Sequence, residues 1–499
     1  MADTYKHGIY ITEVATSLTP MVTSTAAVTV AIGVAAQGPT NVPVLCYSLA
    51  EFAQTFGYEP ESDTLTLSEA AYVHFQLYKV APLICVNVFN PTAHTSAASS
   101  NFTLSYQRTI MTATQAKTEE FVSITSVKAN YSDNSKVDLL LEASGSTPAD
   151  IAYSKSGGLV STVAMTAAGL AKVNAQVTGD VTLTNFTITG QKPDVTKVTA
   201  SAIIGGVDEV TGQTTGLACV EQVYPKFGII PGQIIVPRWS TLSSVAAMMK
   251  AQCQDINGVF KAVAVADIST TEIPNYTGVN EIKNLDNYVD PHLITTWPKV
   301  ALGGKQSFLS THVAAIMCRT DALHNDIPYK SPSNESLQCD QSILENGTDM
   351  FLGRSQANYL NGIGIVTALN FVGGWKCWGN RTSAYPSNTD PKDSFIPVRR
   401  MMNWVSNTLV TSFWSKIDEP INKRLVESVV DSAQIWLNGL AARGALVGGR
   451  IEFREDENPI TDLADGIIRF HVYICPPTPA RQVEFTMEMD VAYFSSLFE

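Results

Sequence analysis

Residues 481–499 read RQVEFTMEMDVAYFSSLFE. Val483, Phe485, Met487, Met489 and Val491 take alternate positions there, with Glu484, Thr486, Glu488 and Asp490 between them. Successive side chains of an extended chain point to opposite faces, so this alternation describes a β-strand with one apolar and one polar face. Pro476, Pro477 and Pro479 stand just ahead of it. Each fixes φ and removes a backbone donor, so 475–480 (CPPTPA) leaves the body as an extended spacer rather than a hairpin turn. A strand held off in this way either completes a sheet in another molecule or folds back onto its own. The spacer favours the first.

Upstream, two helical patterns precede two short strands. Met401, Trp404, Val405, Leu409 and Phe413 recur at three- or four-residue spacing. After Pro420, Leu425, Val429, Ala433, Trp436 and Leu440 form one stripe, ending at the basic residue and cap glycine Arg443-Gly444. Residues 450–454 and 467–474 read as strands, the second with Ile468, Phe470, Val472 and Ile474 on one face. Two helices over two strands make a small sheet with free edges.

The remainder alternates between strand and helix, with one interruption. Residues 1–24 read as an arm: Ile9 and Ile11 alternate with Tyr10 and Thr12, then a Ser/Thr-rich stretch follows. VTVAIGVAA (28–36), a helical pattern over 68–78 and LICVNVF (83–89) suggest an α/β unit. Composition changes at Pro91. Up to Gly216 the chain is rich in Thr, Ser, Ala and Val, lacks Trp, and carries alternating runs such as FVSITSV and VTLTNFTITG. That is the signature of an inserted all-β module. The strand–helix rhythm then resumes through IIPGQIIVP, a helix over 245–253 and an apolar strand over 259–266. The expected organisation is an arm (1–24), an α/β core in two parts (25–92 and 216–395), an inserted domain (93–215), a C-terminal α+β domain (396–480) and a second arm (481–499).

Composition narrows the function. At 499 residues the chain is too long for a single core. It is 45% hydrophobic and only 16% charged, and uncharged surface is often surface that meets another subunit. A formal charge of −13 with no basic stripe argues against nucleic acid as the main ligand. No apolar run approaches the ~18 residues of a membrane span, so no membrane insertion is expected. Residues 1–14 lack the basic segment and apolar core of a signal peptide, and the eight cysteines are scattered without a CxxC. Reduced, mostly buried thiols in a protein made in a cytoplasm are expected.

The stretch VGGWKCWGNRTSAYPSNTDPKDSFIPVRRM (372–401) closely resembles the signature region of contractile phage tail sheath proteins, in the P2-type lineage. Residues 411–480 continue in the same style, AAIMCRTDALHNDIPYKSPSN (314–334) resembles a second family segment, and HGIYITEV (7–14) fits the opening strand. The resemblance covers most of 220–499; the inserted region matches nothing nameable. It implies a structural subunit with a subtilisin-like middle domain, stacking in six-fold rings around a tail tube and contracting to drive that tube through a bacterial envelope. It further implies arms that exchange strands between neighbours, with baseplate and tail terminator proteins as other partners. The particle is a virion tail or a tail-like device. The subunit-linking candidates are then Ile9, Ile11, Val483, Phe485, Met487, Met489, Val491, Ile468, Phe470 and Val472. The C-terminal domain should face the tube, through Lys423, Glu427 and Asp431 on the polar face of the second helix.

Enzyme chemistry finds no foothold. GGKQS (303–307) has Gln306 where a phosphate loop needs Ser or Thr, and GIGIVT (362–367) lacks the third glycine of a dinucleotide fingerprint. The seven histidines show no ligand spacing, so neither metal nor cofactor is expected. Asp267 followed by His292 or His312 permits a hydrolase order, but no Gly-flanked serine follows; Asp267 reads as a strand-end or helix-capping carboxylate. Trp375 and Trp378 read as packed core with Arg381 paired to a carboxylate, and the charged run 452–457 as a solvated strand end. A non-contractile β-augmented polymer and a cytosolic α/β hydrolase are the alternatives to a sheath subunit.

Overall fold

The computed structural model describes residues 20–59, 62–102, 121–143, 147–156 and 159–497. Ile9 and Ile11 lie outside the described residues. The architecture is mixed α/β in two compact units, one of Thr29–Phe227 and Ile234–Gln252, the other of Met1–Val28, Gly228–Gln233 and Cys253–Glu499.

In the first unit, Thr29–Gly33 and Leu83–Asn87 run parallel, with Thr29 opposite Leu83 and Gly33 opposite Asn87. Every residue of both strands is buried, as in sheets covered on both faces. Between them, helix Leu49–Phe56 starts at Ser48, whose hydroxyl accepts the Glu51 N–H at 3.2 Å, and buries Phe52 and Phe56. The helix expected over 68–78 forms as α-helix Thr66–Ala71 running into π-helix Tyr72–Tyr78. A Cβ on Gly33 would lie 2.3 Å from Thr66 Oγ1, so glycine is what lets this helix approach the strand.

The inserted region holds an antiparallel sheet in the order Thr95–Phe102, Leu183–Pro193, Ser123–Tyr131, Lys136–Leu139, and a hairpin of Ile151–Ser156 with Leu159–Met165. Ile124, Val127, Tyr131, Ile151, Phe186 and Ile188 give it a core of its own. The all-β expectation needs one correction. Ala167–Gln176 is a helix, capped by the Thr166 hydroxyl on the Gly169 N–H at 3.2 Å, and it buries Val173 in that core. Ala167, Ala168, Ala171 and Ala175 supply helix propensity without an apolar period, which is why alternation alone overlooks it.

In the second unit, Val263–Asp267, Leu293–Thr296 and Ile365–Asn370 run parallel in that order, and Trp375–Trp378 returns antiparallel on the last. The buried helix Leu309–Leu323 packs on Val263–Asp267. Gly303 and Gly304, at φ 60° and 83°, form the two-residue turn joining Lys299–Leu302 to Lys305–Ser307, so GGKQS is a hairpin. Gly364, at φ 76°, follows helix Arg354–Gly362; a Cβ there would meet the Tyr385 carbonyl oxygen at 2.5 Å. Both glycine motifs thus serve a turn or a close backbone approach.

The C-terminal part of this unit contains helices Ile396–Phe413 and Lys423–Ala442, called here the Ile396 and Lys423 helices, and the antiparallel pair Gly448–Glu452 and His471–Cys475. Met401, Trp404, Val405, Ala433, Leu437, Leu440 and Ile451 pack together beneath them.

Candidate subunit-linking surface

The C-terminal arm pairs with no strand among the described residues. Residues 476–490 join no described strand, and Val491–Leu497 coil into a short 3-10 helix. Val483 is 67% exposed, Phe485 88%, Met487 94%, Met489 74% and Val491 67%. The arm therefore does not fold back onto any described strand. Nor is the alternating strand formed on its own, because strand hydrogen bonds run between segments and a lone segment has no ladder. What remains is an apolar row facing water.

The small sheet is shorter at one end than its sequence suggests. The strand expected over 450–454 runs Gly448–Glu452, and the one expected over 467–474 runs His471–Cys475. Asn458 explains the second shift. Its buried side-chain amide donates to the carbonyls of Arg454 (2.7 Å) and Arg469 (2.9 Å) and accepts the Arg469 N–H (2.7 Å). A side chain thus takes the place of ladder partners, and Ile468 lies outside the strand. Phe470, Val472 and Ile474 are half-buried against the unit's own core, so their side chains are already engaged.

The two edges of this sheet differ. The Gln434 side-chain amide donates to Gly449 O at 3.1 Å, and its oxygen accepts the Ile451 N–H at 3.1 Å. Those are the outward-pointing groups of strand Gly448–Glu452, and the Lys423 helix closes that edge. Gly449 permits the approach: a Cβ there would meet Leu437 at 3.3 Å. Since residues 449 and 451 point outward, alternation turns the N–H and C=O groups of their partners Val472 and Ile474 to the opposite edge. That edge carries no described strand.

On the Lys423 helix, Asn422 caps the start with its oxygen on the Leu425 N–H at 2.9 Å. Val429, Ala433, Leu437 and Leu440 are buried, and half-buried Trp436 stacks near Trp404 with ring centroids 5.6 Å apart. Lys423, Glu427 and Asp431 point the other way and are exposed, with Lys423 Nζ 3.5 Å from Glu427.

The residues considered for chemistry have structural partners. The Asp267 carboxylate accepts the Ser310 N–H at 2.9 Å and the Thr296 hydroxyl at 2.7 Å, capping helix Leu309–Leu323 from the end of its strand. His312 Nε2 shares a 2.7 Å hydrogen bond with Ser307 Oγ, a pair the sequence reading did not make, and both residues are buried. Arg381 corrects an expectation. It sits over the rings of Phe395 (3.6 Å) and Tyr385 (4.3 Å) and donates to Ser394 Oγ at 2.6 Å, with no carboxylate in that set. Burial holds its guanidinium below the usual range. Trp375 and Trp378 are half-buried rather than core. The charged run pairs locally, Arg454 with Asp456 at 2.6 Å and His471 with Glu457 at 2.7 Å. Seven cysteines are buried thiols and Cys475 is exposed; burial pushes Cys339 and Cys377 to about 12. Among the described residues no His/Cys/Asp/Glu group could hold a metal ion, and no helix is long and apolar enough to cross a membrane.

An alternating arm exposed along its length stands beside a small sheet whose outer edge carries no described strand. No family model matches the chain. It is 26% identical over 512 residues to the tail sheath protein of Burkholderia phage BcepMu, covering 100% of this chain and 99% of that one. It is 24% identical over 311 residues to a putative prophage major tail sheath protein of Pseudomonas aeruginosa (strain UCBPP-PA14), covering 60% and 75% of the two chains. Its fold matches the sheath complex, in contracted state, of the extracellular contractile injection system PVC, with a TM-score of 0.58 and 14% identity over 99% of this chain and 100% of that one. These relatives are named as tail sheath proteins, the family that residues 372–401 resemble.

Proposed function

We propose that the chain is the sheath subunit of a phage tail or tail-like particle, made in a bacterial cytoplasm and polymerised as stacked six-fold rings around an inner tube. The observation that carries this reading is the pairing of an uncovered alternating arm with one open sheet edge. The 483–491 strand of one copy adds to the outer edge of His471–Cys475 of another, where Val472 and Ile474 present unused N–H and C=O groups. Residues Ile9 and Ile11 serve as a second exchanged strand. A main-chain ladder tolerates rotation of the bodies it joins, so links persist while the bodies repack.

The same reading assigns the domain boundaries given above, a subtilisin-like topology for 25–92 with 216–395, and 93–215 as the outward decoration. Residues 396–480 face the tube through Lys423, Glu427 and Asp431. Tube attachment must break on contraction, and exposed polar contacts, screened by salt, suit that better than an apolar patch. Contraction draws on two packings of the bodies rather than on a nucleotide. Tube, baseplate and terminator proteins are the partners, with no direct nucleic acid and no membrane insertion. Electron microscopy of the purified chain tests the reading: sheath-like cylinders are expected, non-tubular polymers would favour the β-augmented alternative, and monodisperse particles would refute both.

A further inference from the structure

The main chain of residues 22–24 is bonded along the Ile396 helix by side chains of that helix. Ser412 Oγ accepts the Val22 N–H at 2.9 Å, and Thr411 Oγ1 lies 3.1 Å from Val22 O, as near to it as to the Asn407 and Thr408 carbonyls of its own helix. Thr408 Oγ1 accepts the Ser24 N–H at 3.2 Å and Trp404 Nε1 donates to Ser24 O at 2.6 Å. The N–H and C=O of both residues are therefore satisfied, while Thr23 between them is exposed.

The match is geometric. One turn of helix rises about 5.4 Å, and alternate residues of an extended chain lie about 6.6 Å apart. Side chains four positions apart on the helix, Thr408 and Ser412, thus meet amides two positions apart, Ser24 and Val22, with the two chains running in opposite directions. Hydroxyls inside a helix ordinarily weaken it by competing for its own carbonyls. Here Thr408 and Ser412 are buried and directed at another segment. Apolar packing adds little at this point, because Val22 is 60% exposed and Met21 and Thr23 line a cavity of about 590 Å³ whose far walls include Ile435, Trp436 and Arg443.

We propose that this row of side chains is a mooring, which delivers a pull on the chain ahead of Pro20 to the Ile396 and Lys423 helices. Trp404, Thr408, Thr411 and Ser412 are positioning residues in this role. Because the segment lies along the helix, a pull along the helix axis loads the four bonds together instead of opening them one at a time. The tension role rests on the sheath reading; the hold itself does not.

The test is the full-length double variant Thr408→Val with Ser412→Ala, which keeps core volume and removes both hydroxyl acceptors. Hydrogen exchange on the unassembled chain should show the Val22 and Ser24 amides exchanging roughly tenfold faster or more, with amides of the Lys423 helix unchanged. Cylinders of the variant should be shorter and should fragment on contraction. Thr408→Ser, which retains the hydroxyl, should behave as the unmodified chain and guards against misreading a folding defect. Unchanged exchange at Val22 and Ser24 would overturn the mooring. Faster exchange with cylinders of normal length that survive contraction would overturn its tension role. Absence of cylinders from the unmodified chain would remove the sheath reading and the tension role with it, while the exchange result still decides whether the row holds the segment.

Discussion

Replacing Phe485 by Asp separates folding from assembly. In the single chain Phe485 is 88% exposed, in an arm that joins no described strand. A surface change of this kind should move stability by no more than ~0.5 kcal/mol. In the proposed strand exchange the residue lies at the centre of the alternating face that becomes covered. Losing the burial of a Phe side chain costs about 2 kcal/mol, and placing a carboxylate on a covered apolar face costs at least about 2 kcal/mol more. Together these raise the concentration needed for each link by roughly a thousandfold. Circular dichroism should therefore report an unchanged melting transition, while sedimentation and electron microscopy show subunits in place of cylinders. Phe485→Leu, which keeps most of the apolar area, should shift assembly by less than about tenfold. A Phe485→Asp chain that polymerises at the normal concentration would refute the reasoning, and so would one whose melting point falls by many degrees.

Three further outcomes follow from the same structure. Arg400 and Asp321 form a bidentate pair, 3.0 Å for Nη1 to Oδ1, and both are almost fully buried; Arg400→Met should cost about 3–5 kcal/mol in urea unfolding near neutral pH. Burial raises the Asp321 carboxyl pKa against the lowering effect of Arg400. A raised carboxyl favours the fold in its neutral form, so the variant should regain stability as pH falls toward about 4, and an equal loss at pH 5 and pH 8 would contradict this. Excising 93–215 with a short Gly/Ser linker should leave a soluble chain that still assembles, because that region's core is its own; insolubility of a correctly spliced product would count against it. Lys423→Glu puts two acidic side chains one turn apart and should weaken attachment to the tube in a salt-dependent way without preventing tube-free polymers; cross-links from the tube to 93–215 instead would invert the radial assignment.

Periodic features were legible in the sequence, and contacts made by single side chains were not. The stripe on the Lys423 helix reads as Leu425, Val429, Ala433, Trp436 and Leu440; Val429, Ala433 and Leu440 are buried, Leu425 and Trp436 are half-buried, and Leu437 joins the buried set. The buried strands Thr29–Gly33 and Leu83–Asn87 were visible as runs of strand-forming residues, and the 483–491 arm as an alternation with nothing nearby to cover it. Helix Ala167–Gln176 was missed because its alanines carry propensity without a pattern. Gln434 closing one edge, Asn458 ending the ladder and the hydroxyls of the Ile396 helix were missed for a different reason. Each joins a side chain to the main chain of a segment 11 to 390 residues away, and such bonds leave no period. A cluster of Thr408, Thr411 and Ser412 inside an amphipathic helix was the one available hint, since hydroxyls there need an external use to offset their cost.

The two chain ends meet the same small layer of helices and strands by different chemistry. The N-terminal segment is bonded to the Ile396 helix through its own main chain, whereas the C-terminal arm leaves strand His471–Cys475 through a proline spacer and pairs with no described strand. Ser24, through Trp404, and strand His471–Cys475, through the pairing of Val472 with Ile451, are both tied to one core, that of Met401, Trp404, Ala433, Leu437 and Ile451. A force entering at one end can therefore leave at the other through two helices and two strands, without passing through the inserted sheet. This is why excision of 93–215 and removal of the hydroxyls at 408 and 412 should have opposite consequences. The first removes more than a hundred residues from outside the line of tension; the second removes two oxygen atoms from within it.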